Sequence, residues 1–113
     1  MGILDYVELP AQSVGAQRNF YSSVFGWDFT SYGESYAAFE DGLCQFALNG
    51  TGQHQGKGPL PVVRVNDIAA AVAAVRNAGG TITLDVFDFP GGKRFHFTDP
   101  EGQAMAVYQP ASD

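Results

Sequence analysis

The chain contains the same pattern of strand and helix signals twice, and this repeat limits its possible folds more than any other feature. In the first half, ILDYVEL alternates like a strand, a helix follows between Ser13 and Gly26, and three short strand segments come next. In the second half, LPVVRV is followed by a helix that ends near Gly79 and by three more strand segments. The repeat predicts an α+β fold of two tandem βαβββ modules.

The two predicted helices each have a capping residue and an apolar stripe. Ser13 can cap the first helix, and either Asn66 or Asp67 can cap the second. The apolar positions are Val14, Tyr21, Val24 and Phe25 in the first helix and Ile68, Ala71, Val72 and Val75 in the second. Because each helix covers one face of its strands, we expect a curved mixed sheet whose other face forms a concave cleft.

A glycine-rich segment separates the two copies of the repeat. GTGQHQGKGP, residues 50–59, has no apolar periodicity and predicts a linker loop. We therefore expect a single domain over residues 1–113, with module one at 1–49 and module two at 60–113. Within module one, Asp41-Gly42 predicts a two-residue hairpin turn between two strands.

Side-chain alternation predicts which residues face the cleft. In KRFHFT, Phe95 and Phe97 point one way and Arg94 and His96 the other. Burial of the phenylalanines under a helix is favourable, whereas burial of a guanidinium there is costly, so Arg94 and His96 are assigned to the concave face. The same rule assigns these residues to that face: Tyr6, Glu8, Gln45, Arg64 and Tyr108. It turns Cys44 toward the core.

Composition excludes several classes of partner. Twelve acidic residues against six Lys and Arg give a net charge of −6, which speaks against nucleic acid. No apolar run approaches the roughly 18 residues of a membrane span, and the opening residues lack the features of a secretory signal. A lone cysteine fits a reducing compartment, so we expect a cytoplasmic protein without membrane contact. The sequon Asn49-Gly50-Thr51 is interpreted as chance.

Three segments resemble signatures of the vicinal oxygen chelate superfamily, which includes glyoxalase I, extradiol dioxygenases, and fosfomycin and bleomycin resistance proteins. They are RNFYSSVFGWDF (18–29), AAVRNAGGTI (73–82) and FTDPEGQAMAVY (97–108). The resemblance implies paired βαβββ modules, a small-molecule ligand and a homodimer with two-fold symmetry. It does not imply one activity, because this fold supports several chemistries.

The resemblance also implies where a metal would be held. In metal-using members the ligands lie on the first and last strands of each module, and the matching positions here fall near Tyr6 or Glu8, at Gln45, near Leu60 and at Ala106. A catalytic metal site needs about three donor side chains, and Leu60 and Ala106 have none to offer. We therefore predict no bound metal and no other cofactor.

Glu8 and His96 are the candidate catalytic residues, as base and acid. For each there is a plainer alternative: an ion pair of Glu8 with Arg64 or Arg94, and a His96 that is only hydrogen-bonded within the sheet. The candidate ligand-binding residues are Tyr6, Gln45, Arg64, Arg94 and Tyr108, with a solvated surface role as the alternative for Arg94. Of the remaining residues, Trp27 and Phe29 are assigned to the core, Tyr32 and Tyr36 to the rim of a pocket, and His54 to solvent.

Three functions remain open from the sequence. The first is a metal-independent small-molecule binding protein that resembles bleomycin resistance proteins. The second is a lyase or isomerase of the glyoxalase I type with a rearranged metal site of Glu8, Gln45 and His96, and the third is a metal-free enzyme that uses Glu8 and His96. Leu60 and Ala106 favour the first over the second. Nothing in the sequence separates the first from the third or names the ligand.

Overall fold

A computed structural model describes residues 2–53 and 58–112, and this part of the chain contains two helices and eight strands. Their order confirms the α+β class and the repeated βαβββ pattern. The elements are β1 (Ile3–Pro10), α1 (Val14–Phe25), β2 (Thr30–Ser31), β3 (Tyr36–Phe39), β4 (Gln45–Asn49), β5 (Leu60–Arg64), α2 (Ile68–Asn77), β6 (Thr81–Phe89), β7 (Gly92–Thr98) and β8 (Ala104–Pro110).

The chain divides into two compact units. The N-terminal unit is Tyr6–Leu60, and the C-terminal unit combines Met1–Asp5 with Pro61–Asp113. Neither α1, with 12 residues, nor α2, with 10, is long and apolar enough to cross a membrane, and the described part of the chain has no other helix.

In the N-terminal unit, α1 packs on one face of the strands. β1 pairs with β4 in parallel, whereas β3 pairs antiparallel with both β4 and β2. Val14, Ala37 and Leu48 form the buried cluster under the helix. The half-buried side chains around it are Leu9, Ala11, Tyr21, Phe29 and Phe46. Leu9, Phe46 and Leu48 therefore face α1, and the alternate residues of β1 and β4 face away from it.

The C-terminal unit repeats this arrangement. β5 pairs with β8 in parallel, and β7 pairs antiparallel with β8 and β6. Ile68, Phe95 and Val107 form the buried cluster, and the predicted stripe of α2 packs there. The half-buried members are Val63, Val65, Ala71, Val72, Val75, Ile82 and Phe97. Phe95 and Phe97 thus lie on the helix side of β7, as alternation predicts.

The helix ends follow the capping signals closely. The Ser13 hydroxyl accepts a hydrogen bond from the N–H three residues later at 3.4 Å, and the Asp67 carboxylate accepts an equivalent bond at 3.0 Å, so Asp67 rather than Asn66 is the cap. Gly26 follows α1 directly with a left-handed φ of 71°. Gly79, with φ 98°, lies two residues beyond the last residue of α2.

β6 has two irregularities that the sequence did not indicate. Between the register pairs Ile82–Phe97 and Phe87–Arg94, β6 advances by five residues while β7 advances by three. The register shifts on both sides of Leu84, which is paired with His96. Such bulges are common on the outer strand of a sheet and redirect side chains locally. Here they bring Leu84 to the same face as Phe87.

Several local predictions were wrong. Cys44 is exposed rather than turned to the core, because β4 begins only at Gln45 and the alternation does not extend to position 44. Val24 and Phe25 are exposed, since Val24 lies about 80° around the helix from Val14 and Phe25 is the last helical residue. Of the three strand segments expected after the first helix, the first is only two residues long, Thr30–Ser31. Residues 40–44, not a two-residue turn, connect β3 and β4.

We expect Phe95→Ala to lower the free energy of unfolding by about 3–5 kcal/mol, because Phe95 is 0% exposed and its removal leaves a cavity beneath α2. Phe97→Ala should cost less, since Phe97 is only half-buried. As a control, Phe20 on α1 is 56% exposed, and Phe20→Ala should change stability by no more than about 0.5 kcal/mol. Urea denaturation of the three variants measures these values, and equal losses at Phe95 and Phe20 would contradict the packing.

Candidate functional site

In each unit a group of polar strand side chains lies on the face opposite the helix, which we call the helix-free face. Their neighbours in sequence, such as Phe46, Leu48, Phe95 and Val107, pack under the helices, so alternation places them on the other side. In the N-terminal unit this face carries Tyr6, Glu8, Tyr36, Gln45 and Asn49. In the C-terminal unit it carries Arg64, Arg94, His96 and Tyr108.

Glu8 is a buried carboxylate held at both of its oxygens. It is 2% exposed. The Tyr36 hydroxyl donates to Oε2 at 3.0 Å, and Asn49 Nδ2 donates to Oε1 at 3.1 Å. A carboxylate without such donors would be costly to remove from water, so these two bonds stabilise its position in β1. Tyr36, assigned from sequence to a pocket rim, directly contacts the carboxylate.

Asn49 connects Glu8 to the turn that follows β4. Its Oδ1 accepts hydrogen bonds from the Thr51 N–H at 2.9 Å and from the Thr51 hydroxyl at 2.6 Å. A backbone N–H can only donate, so the amide orientation is fixed and Nδ2 must face Glu8 and the Gln53 carbonyl. Sequence reasoning missed Asn49. The Asn49-Gly50-Thr51 spacing, typical of an Asx turn, was the available signal.

Alanines occupy the register row of Glu8 on its own face of the sheet. In register, Glu8 pairs with Ala47, and Ala47 pairs with Ala38. Tyr6 and Gln45 form the next register pair along β1 and β4, and both are half-buried. Glu8 is therefore a buried charged group flanked by alanine positions on the helix-free face of the N-terminal unit.

In the C-terminal unit, Arg94 and His96 are directly bonded. Arg94 is 5% exposed, and its Nε donates to His96 Nε2 at 2.9 Å. A guanidinium has no acceptor atom, so Nε2 must provide the lone pair of this bond. The solvated role considered for Arg94 is therefore wrong. His96 is hydrogen-bonded on the sheet, and its contact with Arg94 fixes the direction of both side chains.

Aromatic rings border this pair along β6 and β8. The Phe87 ring lies 6.2 Å from the His96 ring and 6.4 Å from the Phe89 ring, and Phe89 lies 6.1 Å from Tyr108 in an edge-on arrangement. The Tyr108 hydroxyl donates to the carboxylate of Asp5. Sequence reasoning missed Phe87, Phe89 and Asp5, although the paired Phe residues at the end of TITLDVFDF were a signal for the first two.

Register places two arginines and two aromatic residues of this unit in one row. Arg94 pairs with Tyr108 across β7 and β8, and Tyr108 pairs with Arg64 across β8 and β5. Phe87 pairs with Arg94 on the other side. The row across the four strands is therefore Phe87, Arg94, Tyr108 and Arg64.

The residues present do not fit the metal of the metal-using relatives. Leu60 is 4% exposed and Ala106 is 0% exposed, and neither has an atom that can coordinate. Within residues 2–53 and 58–112, no three His, Cys, Asp or Glu side chains are grouped as a metal site requires. No step of a mechanism can therefore be assigned to a metal held by these side chains.

Of the other assigned residues, Trp27 and Phe29 are half-buried, with Trp27 stacked on Phe39 at 4.9 Å and Phe29 packed in the cluster under α1. Tyr32 is exposed and its hydroxyl donates to Glu40. His54 lies outside the described residues.

The Glyoxalase/Bleomycin resistance protein/Dioxygenase superfamily model matches residues 3–107. The chain belongs to this superfamily. The match extends from β1 into β8, so it spans both βαβββ patterns and confirms the resemblance stated from the three sequence segments.

Curated proteins of known sequence include relatives of this superfamily member. A Mycobacterium tuberculosis protein named "Putative glyoxylase CFP32" is 30% identical over 96% of this chain, and the alignment covers 46% of that protein. This chain thus spans about half the length of the curated relatives it matches.

Solved structures share the fold at lower identity. A methylmalonyl-CoA epimerase from Mycobacterium tuberculosis has a TM-score of 0.72 at 14% identity, covering 96% of this chain and 88% of that one. The Mn(II)-bound glyoxalase from Novosphingobium aromaticivorans has a TM-score of 0.66 at 21% identity, covering 92% of this chain and 37% of that one. At these identities the likeness shows the fold alone.

We expect Asn49→Asp to lower the free energy of unfolding by about 2–4 kcal/mol, because it removes a donor from a buried carboxylate and places a second carboxylate beside it. Asn19→Asp makes the same chemical change on the exposed side of α1 and serves as the control. Urea denaturation at neutral pH compares the two variants. If Asn49→Asp were as stable as Asn19→Asp, the hydrogen-bond network around Glu8 would be refuted.

Tyr32 provides a test at the surface. Its hydrogen bonds to both oxygens of Glu40, at 2.9 and 2.7 Å, raise the pKa of Tyr32 above its ordinary value of 10.0, and partial burial and the charge of Glu40 act in the same direction. The contribution of protonated Tyr32 to stability is therefore present below pH 10 and is lost as the pH rises through the raised pKa. Glu40→Gln should lower the pKa of Tyr32, as measured by NMR of labelled tyrosine, whereas Glu34→Gln should leave it unchanged.

Proposed function

We propose that this member of the superfamily is a metal-independent small-molecule binding protein, resembling the bleomycin resistance proteins, whose ligand contacts a helix-free face of the strands. One observation carries the proposal: Leu60 and Ala106, near the positions that the family resemblance matches to metal ligands, are buried and apolar. The helix-free faces nevertheless keep buried charged groups, Glu8 and Arg94.

Buried charges support a binding role because they cost folding free energy. Replacing a buried, hydrogen-bonded charge by an apolar side chain of similar size is often neutral or stabilising. Glu8 and Arg94 are held by specific donors and acceptors instead, in faces where the neighbouring positions include alanine. Sites that combine apolar surface with a few convergent polar groups are the usual form of a ligand site.

A second candidate is a metal-free lyase or isomerase in which Glu8 acts as the base and His96 as the acid. The observation that favours it is the restraint of the Glu8 carboxylate by Tyr36 and Asn49, since a general base must be fixed near the proton it removes. The names of the relatives, among them a glyoxylase, an epimerase and a glyoxalase, are consistent with either candidate.

To test the proposal, the protein is purified without chelators and its metal content is measured, and a library of small molecules is screened by thermal shift and calorimetry with and without EDTA. We expect binding that EDTA does not change. Each ligand that binds is then incubated with the protein in deuterium oxide, and exchange of its C–H hydrogens for deuterium is measured. Exchange that is lost in Glu8→Gln but kept in Glu34→Gln would favour the second candidate. A content of about one transition metal per chain, required for ligand binding, would overturn both candidates.

A further inference from the structure

We propose that the C-terminal unit binds a planar aromatic monocarboxylate, with the guanidinium groups of Arg64 and Arg94 holding the carboxylate and Phe87 and Phe89 contacting the ring. This inference rests on the proposed function and names the chemical class of its ligand. It goes beyond that function because it assigns the charge, shape and contacts of the bound molecule.

The two guanidinium groups are placed by strand register. Arg64 and Arg94 both pair with Tyr108, one on each side of β8. Neighbouring strands lie about 4.8 Å apart, so the Cα atoms of the two arginines are about 10 Å apart across the same face. Both side chains are long enough to meet one anion above Tyr108. Arginine is always charged, and its fork of N–H groups matches a carboxylate in bidentate geometry.

Arg94 is restrained before any ligand arrives. Its Nε–H is bonded to His96 Nε2 at 2.9 Å, and the Phe87 ring lies 6.2 Å from the His96 ring. This bond fixes the plane of the guanidinium and therefore the direction of its terminal nitrogens. A restrained guanidinium loses less entropy on binding, which increases its affinity for an anion. In this arrangement His96 is a positioning residue for Arg94.

The aromatic surface next to the cations determines the body of the ligand. Phe87 is the register partner of Arg94. The ring centroids of Phe87 and Phe89 lie 6.4 Å apart, and those of Phe89 and Tyr108 lie 6.1 Å apart. A flat ring can lie against these side chains while its carboxylate reaches the arginines. Offset or edge-on contacts between aromatic rings contribute about 0.5–1.5 kcal/mol each beyond area burial, a factor of about 2–13 in affinity.

Asp5 limits the charge of the ligand. Its carboxylate accepts the hydrogen bond of the Tyr108 hydroxyl, so a negative charge lies beside the residue that separates the two arginines. Arg64, Arg94 and Asp5 together carry a net charge of +1, which a monoanion neutralises. A dianion, such as a phosphate ester or a dicarboxylate, would leave a net negative charge among these groups. The row therefore favours a single carboxylate on an aromatic ring.

The test uses 2-naphthoate and benzoate as probes, with 2-naphthamide and 2-naphthylmethylamine as neutral and cationic controls and phenyl phosphate as a dianion. Calorimetry on the full chain measures affinity, and NMR locates the shifted amides. We expect 2-naphthoate to bind more tightly than benzoate, each control to bind at least about 10-fold more weakly than 2-naphthoate, and the affinity to fall as sodium chloride is added.

Variants connect this binding to the row. Arg64→Gln and Arg94→Gln should each weaken 2-naphthoate binding by about 10–100-fold, the range for a lost charge-assisted bond. Arg76→Gln, an exposed arginine on α2, is the control and should bind like the unchanged protein. Because Arg94 is buried, Arg94→Gln is first checked by thermal melting. Arg64 is half-buried, so Arg64→Gln keeps the test decisive if Arg94→Gln does not fold.

Each other outcome overturns the inference. Equal affinity for 2-naphthoate and its amide or amine, unchanged binding by Arg64→Gln, or no binding by any carboxylate would each do so. The proposed function fails separately. A metal-free protein that binds a neutral or cationic ligand refutes only the aromatic carboxylate, whereas Arg64-dependent binding of 2-naphthoate that requires added metal refutes only metal independence.

Discussion

The alternation of side chains along the strands is the constraint on which the rest of the structure depends. On β7, Phe95 is fully buried under α2, and alternation therefore places Arg94 and His96 on the opposite face of the sheet. On β4, Leu48 packs under α1 and directs Asn49 away from the helix in the same way. A register slip of one residue would exchange these faces, so the apolar core and the polar groups are determined together.

The polar groups are not stabilised by the core and must satisfy one another. Glu8 receives hydrogen bonds from Tyr36 and Asn49, and Arg94 bonds His96, so each buried charge is restrained by neighbours on its own face. Such networks rigidify a site when every member is satisfied, but losing one member leaves a buried group without its bond. The stability of each unit and the geometry of its polar face therefore depend on the same few contacts.

Much of this arrangement follows from the sequence, because it depends on local periodicity. The order of elements, the caps at Ser13 and Asp67, and the faces of Arg94 and His96 required only periods of 2 and 3.6 residues. The bulges of β6 did not follow, since they depend on pairing with β7 rather than on any local pattern. The bond of Asn49 to Glu8 was also missed, because it joins residues on two different strands.

The bonds of Asn49 also bear on how the protein can be produced. Asn49-Gly50-Thr51 is an acceptor sequence for N-linked glycans, and the nitrogen that would carry a glycan is the one that donates to Glu8. Asn49 is buried in the folded chain, so an oligosaccharyltransferase could reach it only before the chain folds. A glycan added at that moment in a eukaryotic secretory host would occupy the place of the Glu8 contact. Bacterial or cytosolic expression avoids this modification and preserves the native carboxylate environment.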